Sequence, residues 1–157
     1  IATMMVVFGL ILGAADRFAS KTKELSQLTV KHGILYGLAQ SLALVPGVSR
    51  SGATIAMGRA LGYSREAALR YSFLLALPAV FGSGLYQLKS ALSEDQVAVY
   101  SLAETFVATA IAFIVGYLVI AWLLKFVTTK SFAPFIIYRV ILGSTVLVLL
   151  STGVLSA

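Results

Sequence analysis

The sequence LVPGVSRSGATI, residues 44–55, places a proline, two glycines and an arginine inside a predominantly apolar part of the chain. Proline and glycine interrupt a helix, because proline lacks an N–H group and glycine adopts conformations that other residues avoid. A charge at the centre of a membrane costs about 2.5–3.5 kcal/mol on insertion scales, so Arg50 is expected to meet water or an anion. The stretch therefore predicts a bent, cationic element at membrane depth.

Composition assigns the chain to the helical membrane proteins. Of its 157 residues, 59% are hydrophobic and only 11% are charged, a balance that is rare in soluble domains. The net charge of +6 comes from basic residues scattered among apolar runs, which indicates topology signals rather than a nucleic-acid surface. The lack of cysteine excludes disulfides and thiolate metal sites. We predict an all-α, polytopic membrane protein.

Apolar blocks and linkers divide the chain into four regions. Residues 1–15 are expected to be the end of a spanning helix, and residues 16–31 to be a cytoplasmic linker. Residues 32–62 contain the bend. Residues 63–157 are expected to form three spanning helices, with residues 89–101 as an external linker and apolar blocks at about 67–88, 102–124 and 133–155. The first block has no initiator methionine and no signal peptide, so we expect the C-terminal part of a longer protein.

The bent element is predicted to enter the membrane and to leave it on the same side. Basic residues flank it at both ends, for example at Lys31 and Arg65, and such residues mark the cytoplasmic side. Its two halves would be about 20 and 17 Å long as helices, at roughly 1.5 Å per residue. Neither half reaches across a hydrocarbon core of about 30 Å. We therefore predict a re-entrant helical hairpin whose tip, residues 46–52, has the sequence PGVSRSG.

The hairpin tip has residue types that bind phosphate. Ser49 or Ser51 is expected to cap the second helix of the hairpin, whose free N–H groups and partial positive charge attract anions. Gly47 and Gly52 permit close approach of the backbone. Arg50 adds a planar, bidentate donor that suits phosphate oxygens.

Thr54 lies one turn beyond the tip, and its hydroxyl is expected to reach the same ligand. The alternative is that Arg50 pairs with a carboxylate or with helix-end carbonyl groups inside the protein. The carboxylates of this chain lie in linkers or near a block end, so an acidic partner would have to come from elsewhere. No P-loop motif is present, and Ala56 stands where the acid-phosphatase pattern has a histidine.

Other polar residues are expected to be structural or to interact with lipid. His32 lies at the start of the hairpin and is expected to have an interfacial, structural role. Arg139 lies about five residues inside the last block and is expected to extend towards lipid headgroups, with a second anion contact as the alternative. Arg65 and Arg70 are expected to be topology and headgroup residues.

The tip and its flanks resemble a known family, the undecaprenyl-diphosphate phosphatases of bacterial membranes, also called bacitracin-resistance proteins. The family signature P-G-x-S-R-S-x-x-T is filled in register by Pro46, Gly47, Ser49, Arg50, Ser51 and Thr54. The segments GLAQSLAL, RYSFLLALPAVFGSG and FIIYRVILG also look like that family. The resemblance covers essentially the whole chain, but only the C-terminal part of the family's length.

This resemblance implies two inverted repeats, each with a re-entrant hairpin. The first block here would be the last helix of the first repeat, and the rest of the chain would belong to the second. The resemblance also implies hydrolysis of undecaprenyl diphosphate to undecaprenyl phosphate, which recycles the lipid carrier of cell-wall synthesis. The active site would face the extracytoplasmic side of the bacterial plasma membrane. The expected catalytic residues are Ser49, Arg50 and Thr54, and the expected substrate-binding residues are Gly47, Ser51, Gly52 and Gln40.

The family's glutamate-rich motif, and a serine and a histidine implicated in catalysis, belong to the first hairpin and are missing from this sequence. Tyr36 and Gln40 stand at the matching positions here, on one helix face. A divalent cation, Mg²⁺ or Ca²⁺, would take its ligands from the first repeat, and no metal ligand is assigned in this chain. The isolated segment is therefore expected to be inactive. The expected partners are a polyprenyl diphosphate lipid and the membrane, but not nucleic acid, and a homo-oligomer is left open.

A transporter of an anionic or lipid-phosphate substrate is the competing class, because inverted repeats with broken helices that face an anion are a transporter design. A structural membrane subunit is a third reading, which the charged tip disfavours. Phosphate release in detergent, where no gradient exists, distinguishes a phosphatase from a transporter.

Overall fold

A computed structural model describes residues 1–19, 22–91 and 101–155 of the chain. These residues form helices and no extended strand, apart from an isolated backbone bridge between Lys23 and Tyr63. The helices are α1 (Ala2–Phe18), α2 (Val30–Ser41), α3 (Arg50–Ala60), α4 (Arg65–Ala91), α5 (Leu102–Thr129) and α6 (Ala133–Ser151), with 3-10 turns at Leu25–Gln27 and Leu42–Leu44. The all-α prediction is confirmed.

Three helices in the described ranges are long and apolar enough to cross a membrane. The candidate spans are Arg65–Ser90, Ala103–Thr129 and Ala133–Ser151, with 26, 27 and 19 residues. At a rise of 1.5 Å per residue they measure roughly 39, 40 and 28 Å, which matches a hydrocarbon core of about 30 Å with some tilt. Large apolar side chains such as Phe106 and Phe113 are exposed on α5. The chain is therefore an all-α, polytopic membrane protein, as predicted.

Several helices do not end where the apolar blocks end. α1 continues through Asp16 to Phe18, and α5 continues to Thr129, whereas the blocks end at residues 15 and about 124. The reason is that hydropathy marks the apolar part of a helix, while residues such as lysine and arginine continue it readily. α4 also extends to Ala91, so it includes the start of the predicted external linker, residues 89–101. Positions 92–100 of that linker lie outside the described residues.

Close approach of small residues joins α1 to α6 in an antiparallel arrangement. Gly9 of α1 lies beside Val140, and Gly143 of α6 lies beside Val6. Later residues of α6 thus meet earlier residues of α1, as in an antiparallel pair. A Cβ atom at Gly143 would be 2.8 Å from the Val6 side chain. Glycine at such positions lets two helix backbones approach, which is how membrane helices gain packing energy.

α2 and α3 form an antiparallel hairpin with a closed base. His32 at the start of α2 has its Nδ1 atom 2.7 Å from the hydroxyl oxygen of Tyr63, which follows α3. The backbone N–H of Lys23 donates to the Gly62 carbonyl (3.0 Å), and that of Ser64 donates to the Lys23 carbonyl (2.8 Å). The segments before and after the hairpin are thus bonded to each other, and His32 makes a structural contact at the base.

The hairpin covers only part of the length of its neighbours. At its tip, the carbonyl of Gly47 bonds Arg139, the seventh residue of α6. Further along α3, the Thr54 hydroxyl bonds Ser72, the eighth residue of α4. Both partners lie in the first halves of long helices, so the tip stops well short of their far ends.

A buried ion cluster holds the end of α1 against α3 and α4. Asp16 accepts hydrogen bonds from Arg65 Nε (2.8 Å) and Nη2 (2.9 Å) and from Arg59 Nε (3.0 Å). The Arg59 side chain is fully buried, and Asp16 is 5% exposed. Placing Asp16 in a linker was therefore wrong, because α1 continues past the apolar block and carries the carboxylate inward. Arg65 bonds this carboxylate, and its expected contact with lipid headgroups stays a prediction. Arg70 remains exposed and lies 3.5 Å from Glu66.

Candidate functional site

A tight turn separates the two helices of the hairpin. The N–H of Val48 donates to the carbonyl of Val45 (3.1 Å) across Pro46 and Gly47, and the φ angle of Gly47 is +96°. A type II turn requires a positive φ angle at its third position, which glycine adopts readily, and it favours proline at its second position. Pro46 and Gly47 thus fix the reversal that brings α3 back along α2.

Ser49 caps the helix that follows the turn. Its hydroxyl accepts a hydrogen bond from the N–H of Gly52 (3.1 Å) and lies 3.3 Å from the hydroxyl of Ser51. The predicted serine cap is therefore confirmed, with Ser49 rather than Ser51 in that position. The N–H groups of Arg50 and Ser51 begin the helix and find no acceptor in the described part of the chain, so they are free to bind an anion.

Arg50 is exposed at this helix N-terminus. Its guanidinium forms no hydrogen bond or salt bridge with any of residues 1–19, 22–91 or 101–155. The alternative of an internal carboxylate partner is therefore not realised within that part of the chain. A planar donor group next to free N–H groups is an arrangement that suits a phosphate.

A cavity of about 200 Å³ opens beside the capping serine. We call it the tip cavity. Its polar lining residues are Ser49, Ser51 and Arg139, and Gly52 also lines it. The remaining lining is apolar or aromatic and comes from Leu12, Ile55, Leu69, Phe73, Leu123, Phe132, Phe135 and Tyr138. A few polar groups among many apolar side chains suit an amphiphilic ligand.

Arg139 binds the hairpin tip. Its Nη2 donates to the carbonyl of Gly47 (2.9 Å), although the two residues are 92 positions apart. The expected extension towards lipid headgroups was wrong, because the turn leaves a carbonyl group without a helical partner and the arginine satisfies it. The alternative, a second anion contact, stays a prediction, and Arg139 does line the tip cavity.

Four of the predicted site residues are not among those that line the tip cavity: Gly47, Arg50, Thr54 and Gln40. Gly47 belongs to the turn and Arg50 follows the capping serine, whereas Thr54 and Gln40 lie further away in sequence. The Thr54 side chain is fully buried, and its hydroxyl bonds the Arg50 carbonyl (2.9 Å) and the Ser72 hydroxyl. It therefore ties α3 to α4. Gln40 lies in α2, and its buried Oε1 atom has no partner in the described ranges. Their predicted roles at the site stay predictions.

The described residues offer no group of three or more histidine, cysteine, aspartate or glutamate side chains that could hold a metal ion. The tip cavity is lined by serine, arginine and apolar residues, which do not fit a divalent cation, since Mg²⁺ and Ca²⁺ prefer carboxylate oxygens. We therefore derive no step through a metal in this chain.

Replacing Gly47 with alanine is expected to destabilise the protein by at least 2 kcal/mol. Its positive φ costs an L-residue about 1–2 kcal/mol, and a Cβ atom there would overlap the carbonyl group of Ile1. Thermal unfolding in detergent measures the effect. Gly37→Ala is the matched control, because it lies within α2 and a Cβ atom there meets nothing within 4 Å. Equal midpoints for the two variants would contradict this reading of the turn.

Comparison with known proteins relates the whole chain to one family. Residues 1–145 match the family model described as bacitracin resistance protein BacA. The undecaprenyl-diphosphatase of Pseudarthrobacter chlorophenolicus is 59% identical over 100% of this chain and 57% of the relative. That of Micrococcus luteus is 57% identical over 99% of this chain and 57% of the relative. The chain therefore spans little more than half the length of these curated relatives. Because the model matches most of its residues, the chain belongs to the bacitracin resistance protein BacA family.

Proposed function

We propose that this chain is the phosphate-binding part of a membrane phosphatase that hydrolyses undecaprenyl diphosphate to undecaprenyl phosphate. The relatives that it matches are named undecaprenyl-diphosphatase. One observation carries the proposal: Arg50 lies beside free N–H groups at a capped helix N-terminus and has no partner among the described residues. A diphosphate is the group that would use both kinds of donor at once.

We infer that the hairpin is re-entrant, with its tip at membrane depth. The bonded base supports this inference, because segments that touch each other lie on one side of a bilayer. The lengths of α2 and α3, 12 and 11 residues, correspond to about 18 and 17 Å. With the basic linkers in the cytoplasm, the tip would point towards the extracytoplasmic side of the bacterial plasma membrane.

The mixed lining of the tip cavity, with serine and arginine side chains beside many apolar ones, supports a lipid substrate. The diphosphate would bind Arg50 and the N–H groups of Arg50 and Ser51, and the hydrocarbon chain would lie along the apolar lining residues. Ser49 and Ser51 would add hydroxyl hydrogen bonds to the phosphate oxygens. These donors are fixed before the reaction, so they can stabilise charge on the transferring phosphoryl group without reorganisation.

The nucleophile, the general base and any Mg²⁺ or Ca²⁺ ligands are expected in the part of the relatives that this chain does not cover. The described residues near the tip include no carboxylate that lines the tip cavity. Thr54, which bonds Ser72, would act by holding α3 in place. We therefore assign binding and charge stabilisation, rather than proton transfer, to this chain.

Phosphate release from a polyprenyl diphosphate in detergent micelles tests the proposal. We expect the intact protein to release phosphate without any gradient, and the chain of residues 1–157 alone to release none above background. A protein that moves the lipid between leaflets of a vesicle but releases no phosphate would be a transporter and would contradict the proposal. Robust release by the isolated chain would place the reacting groups within these residues.

Arg139 is expected to support the reaction through the tip carbonyl rather than through the phosphate. We predict that Arg139→Leu lowers phosphate release about tenfold or more, because a hydrogen bond from a charged donor contributes about 1.5–3 kcal/mol. Arg139→Lys keeps a cationic donor for the Gly47 carbonyl and should lose clearly less. Equal losses in the two variants would show that the planar guanidinium itself is needed, as it would be for direct phosphate contact.

A further inference from the structure

A second cavity lies at the end of α1 opposite the hairpin tip. We call it the basal cavity; its volume is about 600 Å³. It opens between the end of α1 and the start of α6. The polar lining residues are Asp16, Arg17, Arg65 and Ser131, and the apolar ones are Gly13, Phe18, Ala133, Ile136 and Ile137. This cavity shares no lining residue with the tip cavity.

Positive charge is in excess around the basal cavity. Its carboxylate, Asp16, is shared between Arg65 at 2.8 Å and the fully buried Arg59 at 3.0 Å. Arg17 is exposed and has no polar partner in the part of the chain that the structure describes. Two guanidinium groups, Arg59 and Arg65, therefore share one carboxylate, and Arg17 adds a further positive charge to the cavity lining. Buried charge without full compensation is costly, so an anion in the cavity would stabilise this end of the bundle.

Other carboxylates near Arg65 lie in a different cavity. Glu24 and Glu66 line a cavity together with Arg59 and Arg65 on another side of the cluster. Within the described ranges neither forms a salt bridge with these two arginines, and Glu66 instead lies 3.5 Å from Arg70. Arg17, and the part of the Arg65 guanidinium that Asp16 does not bond, are thus available to a ligand of the basal cavity.

We propose that the basal cavity binds the headgroup phosphate of an anionic phospholipid. Arg17 and the outer side of Arg65 would meet the phosphate, and the acyl chains would lie against Ile136 and Ile137 of α6, where the Ile137 side chain is more than half exposed. Basic pockets between spanning helices are typical binding sites for anionic lipid headgroups. The apolar lining residues of the basal cavity favour a lipid over a free anion, because a free phosphate would leave these side chains exposed to water.

Lipid binding to the intact protein in detergent tests this proposal, with phosphatidylglycerol as the anionic probe and phosphatidylcholine as the neutral one. Native mass spectrometry gives the apparent Kd of each lipid. We expect wild type to prefer phosphatidylglycerol and Arg17→Gln to raise its Kd about fivefold, since one arginine near the surface contributes about 1 kcal/mol. Arg17→Gln leaves the bonds among Asp16, Arg59 and Arg65 intact.

Arg70→Gln is the matched control, because it removes the same charge from an exposed arginine that does not line the basal cavity. Its Kd for phosphatidylglycerol should stay within about twofold of wild type, because Arg70 would not touch a headgroup bound in that cavity. Equal weakening by both variants, or equal binding of the two lipids by wild type, would overturn the proposal. Displacement of bound phosphatidylglycerol by millimolar inorganic phosphate would also overturn it, because the ligand would then be a soluble anion.

Discussion

Replacing Arg50 with lysine is expected to lower phosphate release from a polyprenyl diphosphate by about 100-fold or more, with normal expression. Lysine keeps the positive charge but loses the planar, bidentate donor. Removing one fixed donor to a developing oxyanion typically costs about 100–1,000-fold in rate. Arg50 has no internal partner in the described residues, so the fold itself should tolerate the change.

The matched control for Arg50→Lys is Arg70→Lys, which alters an exposed arginine beside Glu66. Its activity should remain within about twofold of wild type, because exposed ion pairs contribute little. Size-exclusion profiles and thermal midpoints of both variants should match wild type. Wild-type turnover by Arg50→Lys would remove Arg50 from phosphate binding.

Replacing Asp16 with alanine is expected to have the largest effect on stability, a loss of about 3–5 kcal/mol. Removing one partner of a buried ion pair leaves an uncompensated charge, and Asp16 serves two arginines, of which Arg59 is fully buried. The free energy of unfolding in a denaturing detergent titration measures this loss.

Glu66→Ala is the control for Asp16→Ala, because the side chains of Glu66 and Arg70 are 42% and 57% exposed and lie 3.5 Å apart. Its cost should stay below about 1 kcal/mol. If the two alanine variants unfold at the same point, the cluster around Asp16 does not hold α1 against α3 and α4.

Patterns of neighbouring residues in the sequence were sufficient to predict the fold class and the serine cap of the hairpin. Long apolar blocks predict spanning helices, and three such helices occur in the described ranges. The sequence P-G-x-S predicts a break followed by a capped helix, and the turn at Gly47 and the cap at Ser49 follow it. Both predictions depend only on neighbours in sequence, which is why they succeed.

Contacts between distant segments could not be predicted in the same way. Asp16 and Arg59 are 43 positions apart, and Gly47 and Arg139 are 92 apart. A single sequence gives the spacing along one helix but not which faces of two helices meet. The one available signal was the presence of Arg139 inside an apolar helix, because a charge at that depth needs a partner.

The direction of the Thr54 hydroxyl also depends on tertiary packing. Helical spacing places Thr54 one turn after Arg50, but the neighbouring α4 supplies Ser72 as its partner. A buried hydroxyl takes the nearest hydrogen-bond partner, because leaving it unpaired costs about 1–3 kcal/mol. The motif thus predicts which residues surround the tip, and the packing of α4 decides which of them face the tip cavity.

The most direct test of the proposed function is an experimental structure of the intact protein with a non-hydrolysable polyprenyl diphosphonate. We expect its phosphonate oxygens to lie about 3 Å from the Arg50 guanidinium and from the N–H groups that begin α3. The hydrocarbon chain should leave along the apolar lining residues of the tip cavity. A headgroup bound elsewhere, with the Arg50 side chain against acyl chains and no anion or water beside it, would contradict the proposal.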